Sequence, residues 1–258
     1  MDKKEKKKTK NSKRNTIYNI IIVILLIVIA VCAVKLGMIA YRYHKGTKAY
    51  KEIERIAGVD DNLNVNWDKL LKENKDVVAW LYLKDTVISY PVVQTDNNDY
   101  YLRRLLDGKW DIKGTLFIDY RVEKPFESFN TVIYGHNMYD GSMFEPIPKY
   151  MDKESFYKEH KNFDLLTPEG NKRLRVIGGS MVSPDSPMYK FAFYTAEEKQ
   201  AYIKWIEENN QIPDLAGKPV NADENSKLVT MSTCAGPQQK DRFCLWCVVE
   251  PGKDVVKK

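Results

Sequence analysis

The chain has 258 residues, of which 43% are hydrophobic and 29% charged, and it carries a formal net charge of +6 at neutral pH. Residues 1–16 hold eight Lys/Arg against Asp2 and Glu5, a net of +6, so everything after residue 16 sums to zero. An excess confined to a short tail is not a basic patch on a folded surface, which removes the case for a nucleic-acid binder.

Residues 20–34 are unbroken apolar sequence, and Lys35 interrupts before residues 36–40 resume the run. With Lys35 snorkelling toward the interface, roughly 20–24 residues can cross a bilayer core about 30 Å thick. The run is longer than the apolar region of a secretory signal, and no clean Ala-x-Ala site follows it. Val31, directly before Cys32, is not the small residue that lipidation at that cysteine would want. Residues 17–40 are therefore expected to form one uncleaved transmembrane helix, with the basic tail 1–16 on the cytoplasmic side and everything beyond it outside. Tyr41, Arg42, Tyr43 and His44 fit an interfacial belt. Residues 48–56 suggest a charged, weakly amphipathic helix, so residues 41–60 serve as a juxtamembrane helix and linker. Asn66 can cap a short helix over 67–73. Residues 61–258 have the length of one ordinary extracellular domain.

Within that domain the pattern is mainly β with inserted helices. Strand-like runs fall at 77–83, 87–94, 115–120, 131–134, 173–182, 227–231 and 242–250, with Pro91 hinting at an edge or a bulge. They predict a closed or nearly closed β barrel. Helical patterns fall at 99–106, 153–160 and 195–209, the last opened by Thr195 with Glu198 three residues on. That helix sits in a long connection, 183–226, of the kind that forms a binding wall.

The run 227–234 ends in Ser232-Thr233-Cys234, followed by the breakers Ala235, Gly236 and Pro237 and then a second β run from Arg242. This delivers one cysteine to the end of a strand, where a nucleophile would sit. Alternation puts Arg242, Cys244 and Trp246 on one face and Phe243, Leu245 and Cys247 on the other. If the two strands are neighbours, the Arg242 guanidinium reaches the Cys234 sulfur, favours thiolate and offers donors to an oxyanion. The candidate base is His136, which follows the apolar run 131–134 and Gly135 and can exchange protons near neutral pH. Of the other two histidines, His44 borders the apolar span and His160 lies among charged residues of a helical run. A lone Cys244-x-x-Cys247 is poor support for zinc, which needs about four ligands. Positions i and i+3 on a strand point to opposite faces with Cα atoms about 10 Å apart, too far for a disulfide. Both are expected to be packing residues.

Tyr134-Gly-His-Asn-Met138 with Gly141-Ser-Met-Phe144, Thr230-Met-Ser-Thr-Cys234, and Arg242 eight residues after the cysteine resemble the three signatures of sortases, the cysteine transpeptidases of Gram-positive cell surfaces. The similarity is strongest to class B and covers roughly residues 50–250. The resemblance implies an eight-stranded closed barrel with an N-terminal helical extension, with Cys234 as nucleophile, His136 as general acid and base, and Arg242 as oxyanion or substrate clamp. Ser232, Thr233 and Tyr189 are candidate substrate contacts. Met231 replaces the usual Leu of the cysteine signature, a volume-conserving change. Arg103 and Arg104 stand where class B members often place polar residues, and they are expected to be a solvated helix face.

The implied chemistry needs neither cofactor nor metal. Cys234 attacks the carbonyl after a Thr in the C-terminal sorting motif of a secreted protein, His136 protonates the departing amine, and an amine resolves the thioester. The resemblance implies a motif near Asn-Pro-x-Thr-x or a relative of Leu-Pro-x-Thr-Gly. The acceptor is then an amine of the peptidoglycan cross-bridge, its lipid-linked precursor, or a pilin. A cell-surface cysteine peptidase that uses water, and a non-catalytic surface binding module, are the alternative readings.

Overall fold

In the computed structural model, which describes residues 3–60, 62–152, 154–234 and 240–252 (3–16, 154 and 234 through the backbone alone), eight strands close into one barrel. They are β1 (Val77–Tyr82), β2 (Ser89–Val93), β3 (Leu116–Ile118), β4 (Asn130–Tyr134), β5 (Asn162–Leu166), β6 (Lys172–Val182), β7 (Leu228–Cys234) and β8 (Arg242–Pro251). Their order around the barrel is β1-β2-β3-β4-β7-β8-β6-β5, closed by β5 pairing with β1. The β2/β3 and β4/β7 pairs are parallel and the rest antiparallel. The expected closed barrel is borne out. β5 is the strand that the sequence pattern misses, because Asn162-Phe-Asp-Leu-Leu166 is short and follows directly on a helical run. Pro91 pairs with Trp80 and precedes Val92 and Val93, where β3 joins, so its missing N–H falls outside the β3 ladder; the bulge lies on β1 between Val77 and Ala79, across from Val93 and Val92.

The helices are α1 (Lys3–Ala57), α2 (Trp67–Glu73), α3 (Lys149–Asp152), α4 (Glu154–Glu159) and α5 (Ala196–Asn209). Asn66 caps α2, accepting from Lys69 N at 3.1 Å, and Thr195 caps α5, accepting from Glu198 N at 3.2 Å. The helix expected over 99–106 is not formed. Asn97 Oδ1 takes the Asp99 and Tyr100 amides as a helix cap would, but Tyr101 O accepts from Thr115 N and Leu105 N donates to Lys109 O, so the helical ladder stops and only a 3-10 turn at Tyr101–Arg103 remains. The predicted breakers at 235–237 and the side chain of Cys234 lie outside the described residues.

The chain divides into two units, Met1–Lys45 and Gly46–Lys258. In the first, the apolar side chains from Ile17 to Ile39 are exposed on all sides of the helix, and among the described residues this is the one helix long and apolar enough to cross a membrane. In the second, Ala57 and Leu70 pack with Trp80, Tyr101, Phe117 and Leu166, which fixes the end of α1 and α2 to the barrel. On another wall, Tyr202, Ile203 and Ile206 of α5 pack on Ile177, Trp246 and Val248. Burying each such large side chain is worth roughly 1.5–3 kcal/mol, so these three anchor α5, and the connection that carries it, to the barrel.

Candidate active site

β7 lies between β4 and β8, and this arrangement gathers the predicted residues. The parallel ladder pairs Tyr134 with Ser232, and Gly135 N continues it by donating to Ser232 O at 3.1 Å, so His136 and the Cys234 backbone come next in step. On the other side Cys234 and Arg242 are Cα partners in the antiparallel ladder. A cavity of about 380 Å³ opens at these strand ends, lined by His136, Ser232, Thr233 and Arg242 and by Asn98, Leu102, Arg103 and Tyr134, among others. Gly135 is required at its wall: a Cβ there would lie 2.5 Å from both Leu116 Cδ2 and Phe144 Cδ2.

The imidazole of His136 approaches Leu102 O through Nε2 at 2.8 Å. A carbonyl only accepts, so Nε2 carries the hydrogen and Nδ1 is left as the lone pair that can take a proton. Burial pushes the His136 pKa below its ordinary value; the Leu102 carbonyl works in the opposite direction, and the Arg103 and Arg242 guanidiniums add to the lowering. Arg242 is tethered by donating Nη1 to Lys240 O at 3.1 Å. Thr233 Oγ1 is buried, with no hydrogen-bond partner among the described residues.

Tyr189 lies in a neighbouring cavity of about 280 Å³ that shares Tyr134 and Arg242 with the first and adds Arg121 and Pro184. Its hydroxyl shares a 2.8 Å hydrogen bond with Ser232 Oγ and stands 3.5 Å from Cys244 Sγ. Cys244 is buried, which raises its thiol pKa to about 11, and Cys247 is buried and raised too. Both are free thiols inside the barrel wall, as packing residues should be. The rings of Tyr134 and Tyr189 stack at 6.2 Å.

Several lining groups escape a sequence reading. Asp119, fully buried, takes Arg121 Nε and Nη2 at 2.8 Å each, Tyr134 OH at 3.0 Å and Asn98 Nδ2 at 2.8 Å. Burial alone would raise its pKa, but the donors from Arg121 and Asn98 prevail and hold it below the usual carboxylate range. This carboxylate therefore fixes Asn98 and Tyr134 in the cavity wall. Asn98 and Leu102 are hidden in sequence beside and inside the expected helix 99–106. Arg103 is exposed, as expected, but on the 3-10 turn and not on a helix face, and it lines the cavity and donates Nη1 to Ile112 O at 2.9 Å. Arg104 lies over the Tyr100 ring at 4.6 Å. His160 follows α4 and packs on Phe156 with ring centroids 4.4 Å apart.

No protein-family model matches the chain. It is 33% identical over 165 residues to sortase B of Listeria monocytogenes, a match that takes in 64% of this chain and 65% of that relative's length. A solved structure of sortase B from Listeria monocytogenes superposes with a TM-score of 0.62 at 31% identity, covering 69% of this chain and 97% of that one. Sortase B from Bacillus anthracis, solved in complex with AAEK1, superposes with a TM-score of 0.71 at 26% identity, covering 82% of this chain and 99% of that one.

Proposed function

Because the chain belongs to the class B sortase family, we propose that it is a membrane-anchored cysteine transpeptidase, with Cys234, His136 and Arg242 as its catalytic residues. The observation that carries this reading is that His136 after β4 and Arg242 at the start of β8 line one cavity together with Ser232 and Thr233 of β7, whose next residue, Cys234, is the backbone partner of Arg242.

In the proposed reaction the Cys234 thiolate attacks the Thr carbonyl of a C-terminal sorting motif and forms a C–S bond. The carbonyl oxygen becomes an oxyanion, which Arg242 meets with paired N–H donors. Collapse breaks the peptide C–N bond as His136 delivers the proton from Nδ1 to the departing nitrogen. The thioester is then attacked by an amine of the peptidoglycan cross-bridge, its lipid-linked precursor or a pilin. That amine loses its proton to His136, and Cys234 departs as thiolate. Ser232, Thr233 and Tyr189 contact the bound motif, and the 183–226 connection walls the groove so that amine competes with water. Residues 17–40 span the cell membrane, with the basic tail 1–16 cytoplasmic, 41–60 as the juxtamembrane link and 61–258 as the extracellular catalytic domain.

The test is mass spectrometry of the chain incubated with a panel of sorting peptides, with and without added amine. The expected product is a peptide thioester on Cys234 that amine converts to an amide. Hydrolysis that added amine does not divert would mean a peptidase, and a panel that leaves Cys234 unmodified would mean a binding module.

A further inference from the structure

Lys113 is 1% exposed, although it carries an ammonium group. Its Nζ donates to Thr47 Oγ1 of α1 at 2.7 Å and pairs with Asp140 Oδ2 at 2.7 Å. A buried ammonium persists only where it is paired and hydrogen-bonded, so these contacts fix where segment 113–115 lies. Asp140 answers in kind: burial works to raise its carboxyl pKa, but Lys113 and Ser142 hold it below the ordinary range.

Two routes lead from this ammonium to His136. Asp140 sits in the loop that follows His136, a turn closed by the bridge between Asn137 and Met143 and by Phe144 N donating to His136 O at 2.9 Å. The second route runs through Gly114, whose φ is +59° and whose Cα lies so close under the 101–102 turn that an added Cβ would stand 2.5 Å from Leu102 O. That oxygen is the one to which His136 Nε2 is bonded. Segment 113–115 thus holds both the loop after His136 and the carbonyl that orients its ring. The segment is itself docked on α1, through Thr47 and through the Tyr50 hydroxyl, which donates to Gly114 O.

We infer that Lys113 is a positioning residue for His136, setting the imidazole through Asp140 and through the Leu102 carbonyl, and that Thr47 and Tyr50 make this setting depend on the last turns of α1. The inference rests on the function proposed above, since it matters for catalysis only if His136 moves the proton. A salt bridge that merely staples the fold would lower thermal stability and leave the ring where it is. A positioning residue moves the ring in a protein that is still folded.

The experiment uses the full chain in lipid nanodiscs, with Lys113→Met, Asp140→Asn and Thr47→Val. Histidine Cε1–Hε1 cross-peaks are recorded alongside the kcat and KM of peptide acylation, well below each melting temperature. With three histidines in the chain, the spectrum is simple to assign. The His136 peak is expected to move in all three variants while that of His160 stays. For Lys113→Met kcat should fall roughly 10- to 100-fold, as a displaced catalytic group predicts, with KM changed less than about twofold. Lys113→Met combined with Asp140→Asn should cost no more than the worse single change, since the two act through one contact. A lowered melting temperature with the His136 peak and kcat unchanged would overturn the inference. If Lys113→Met fails to fold, Asp140→Asn and Thr47→Val carry the same test at more exposed positions. Failure of the proposed function has a different signature: the unsubstituted chain forms no thioester, yet the His136 peak still moves in the variants.

Discussion

Gly135 joins β4 to His136, and replacing it with alanine tests whether that strand end sets the position of the imidazole. The Gly135 φ is not in the left-handed region, so alanine meets no backbone strain there and the effect is one of space alone. The new Cβ would lie 2.5 Å from Leu116 Cδ2 and Phe144 Cδ2, on side chains that are both fully buried. Ordinary carbon contacts are about 3.5–4.0 Å, so something must yield by about 1 Å. Both neighbours are packed in the core, and Gly135 N is pinned to Ser232 O at 3.1 Å, so residue 136 is expected to absorb part of the shift. Overpacking of this kind costs about 1–3 kcal/mol. At ~2–4 °C per kcal/mol for a domain of this size, Tm should drop by roughly 2–12 °C. A catalytic group displaced by about 1 Å can lose on the order of 10²-fold in rate. Thermal unfolding by circular dichroism and the initial rate of thioester formation measure the two effects separately. Phe144→Leu in the Gly135→Ala background should recover part of both. A Gly135→Ala chain with lowered Tm and full acylation rate would refute the argument, because His136 would then be held from elsewhere.

Arg242→Lys keeps the charge but loses the planar fork of donors, and should cost on the order of 10²-fold in kcat/KM while Cys234 remains alkylatable; near-normal turnover would remove Arg242 from the oxyanion. The pH profile of kcat/KM should be a bell that is lost in Cys234→Ala. If the reactive form is imidazolium with thiolate, the gain in thiolate between the two pKa values is offset by loss of imidazolium. Below the His136 pKa the imidazolium is saturated and the rate falls with the thiolate. The acid limb therefore reports His136, and since burial lowers that group its midpoint should lie below the ordinary value of 6.5. Arg103→Gln, which removes a guanidinium that disfavours the imidazolium, should move that limb upward; a midpoint above 6.5 in the unsubstituted chain would contradict the burial of the ring.

The parts of this protein that the sequence declares are those whose signal is local. Alternation marks the walls of β7 and β8, Cys234 and His136 each follow an apolar run and Arg242 opens one, so the strand ends were visible one at a time. That β4 and β7 are parallel neighbours was not, because the pairing of Tyr134 with Ser232 joins segments separated by two further strands and the helices α3, α4 and α5, and nothing in either segment names its partner. The same limit hides Asn98 and Leu102, whose stretch carries a helical pattern that the pairing of Tyr101 O with Thr115 N and of Leu105 N with Lys109 O overrides. It hides Lys113 more completely. Trp110-Asp-Ile-Lys-Gly114 has the composition of an exposed turn, and the lysine is buried only because Thr47 and Asp140, from distant segments on either side of it in the sequence, satisfy it. A parallel β4/β7 pair also requires a long crossover, and here that crossover contains α3, α4, β5, β6 and α5. The cavity beside His136 is therefore complete only once the non-local ladders have closed, so the candidate active site is a product of barrel closure and not of any one segment.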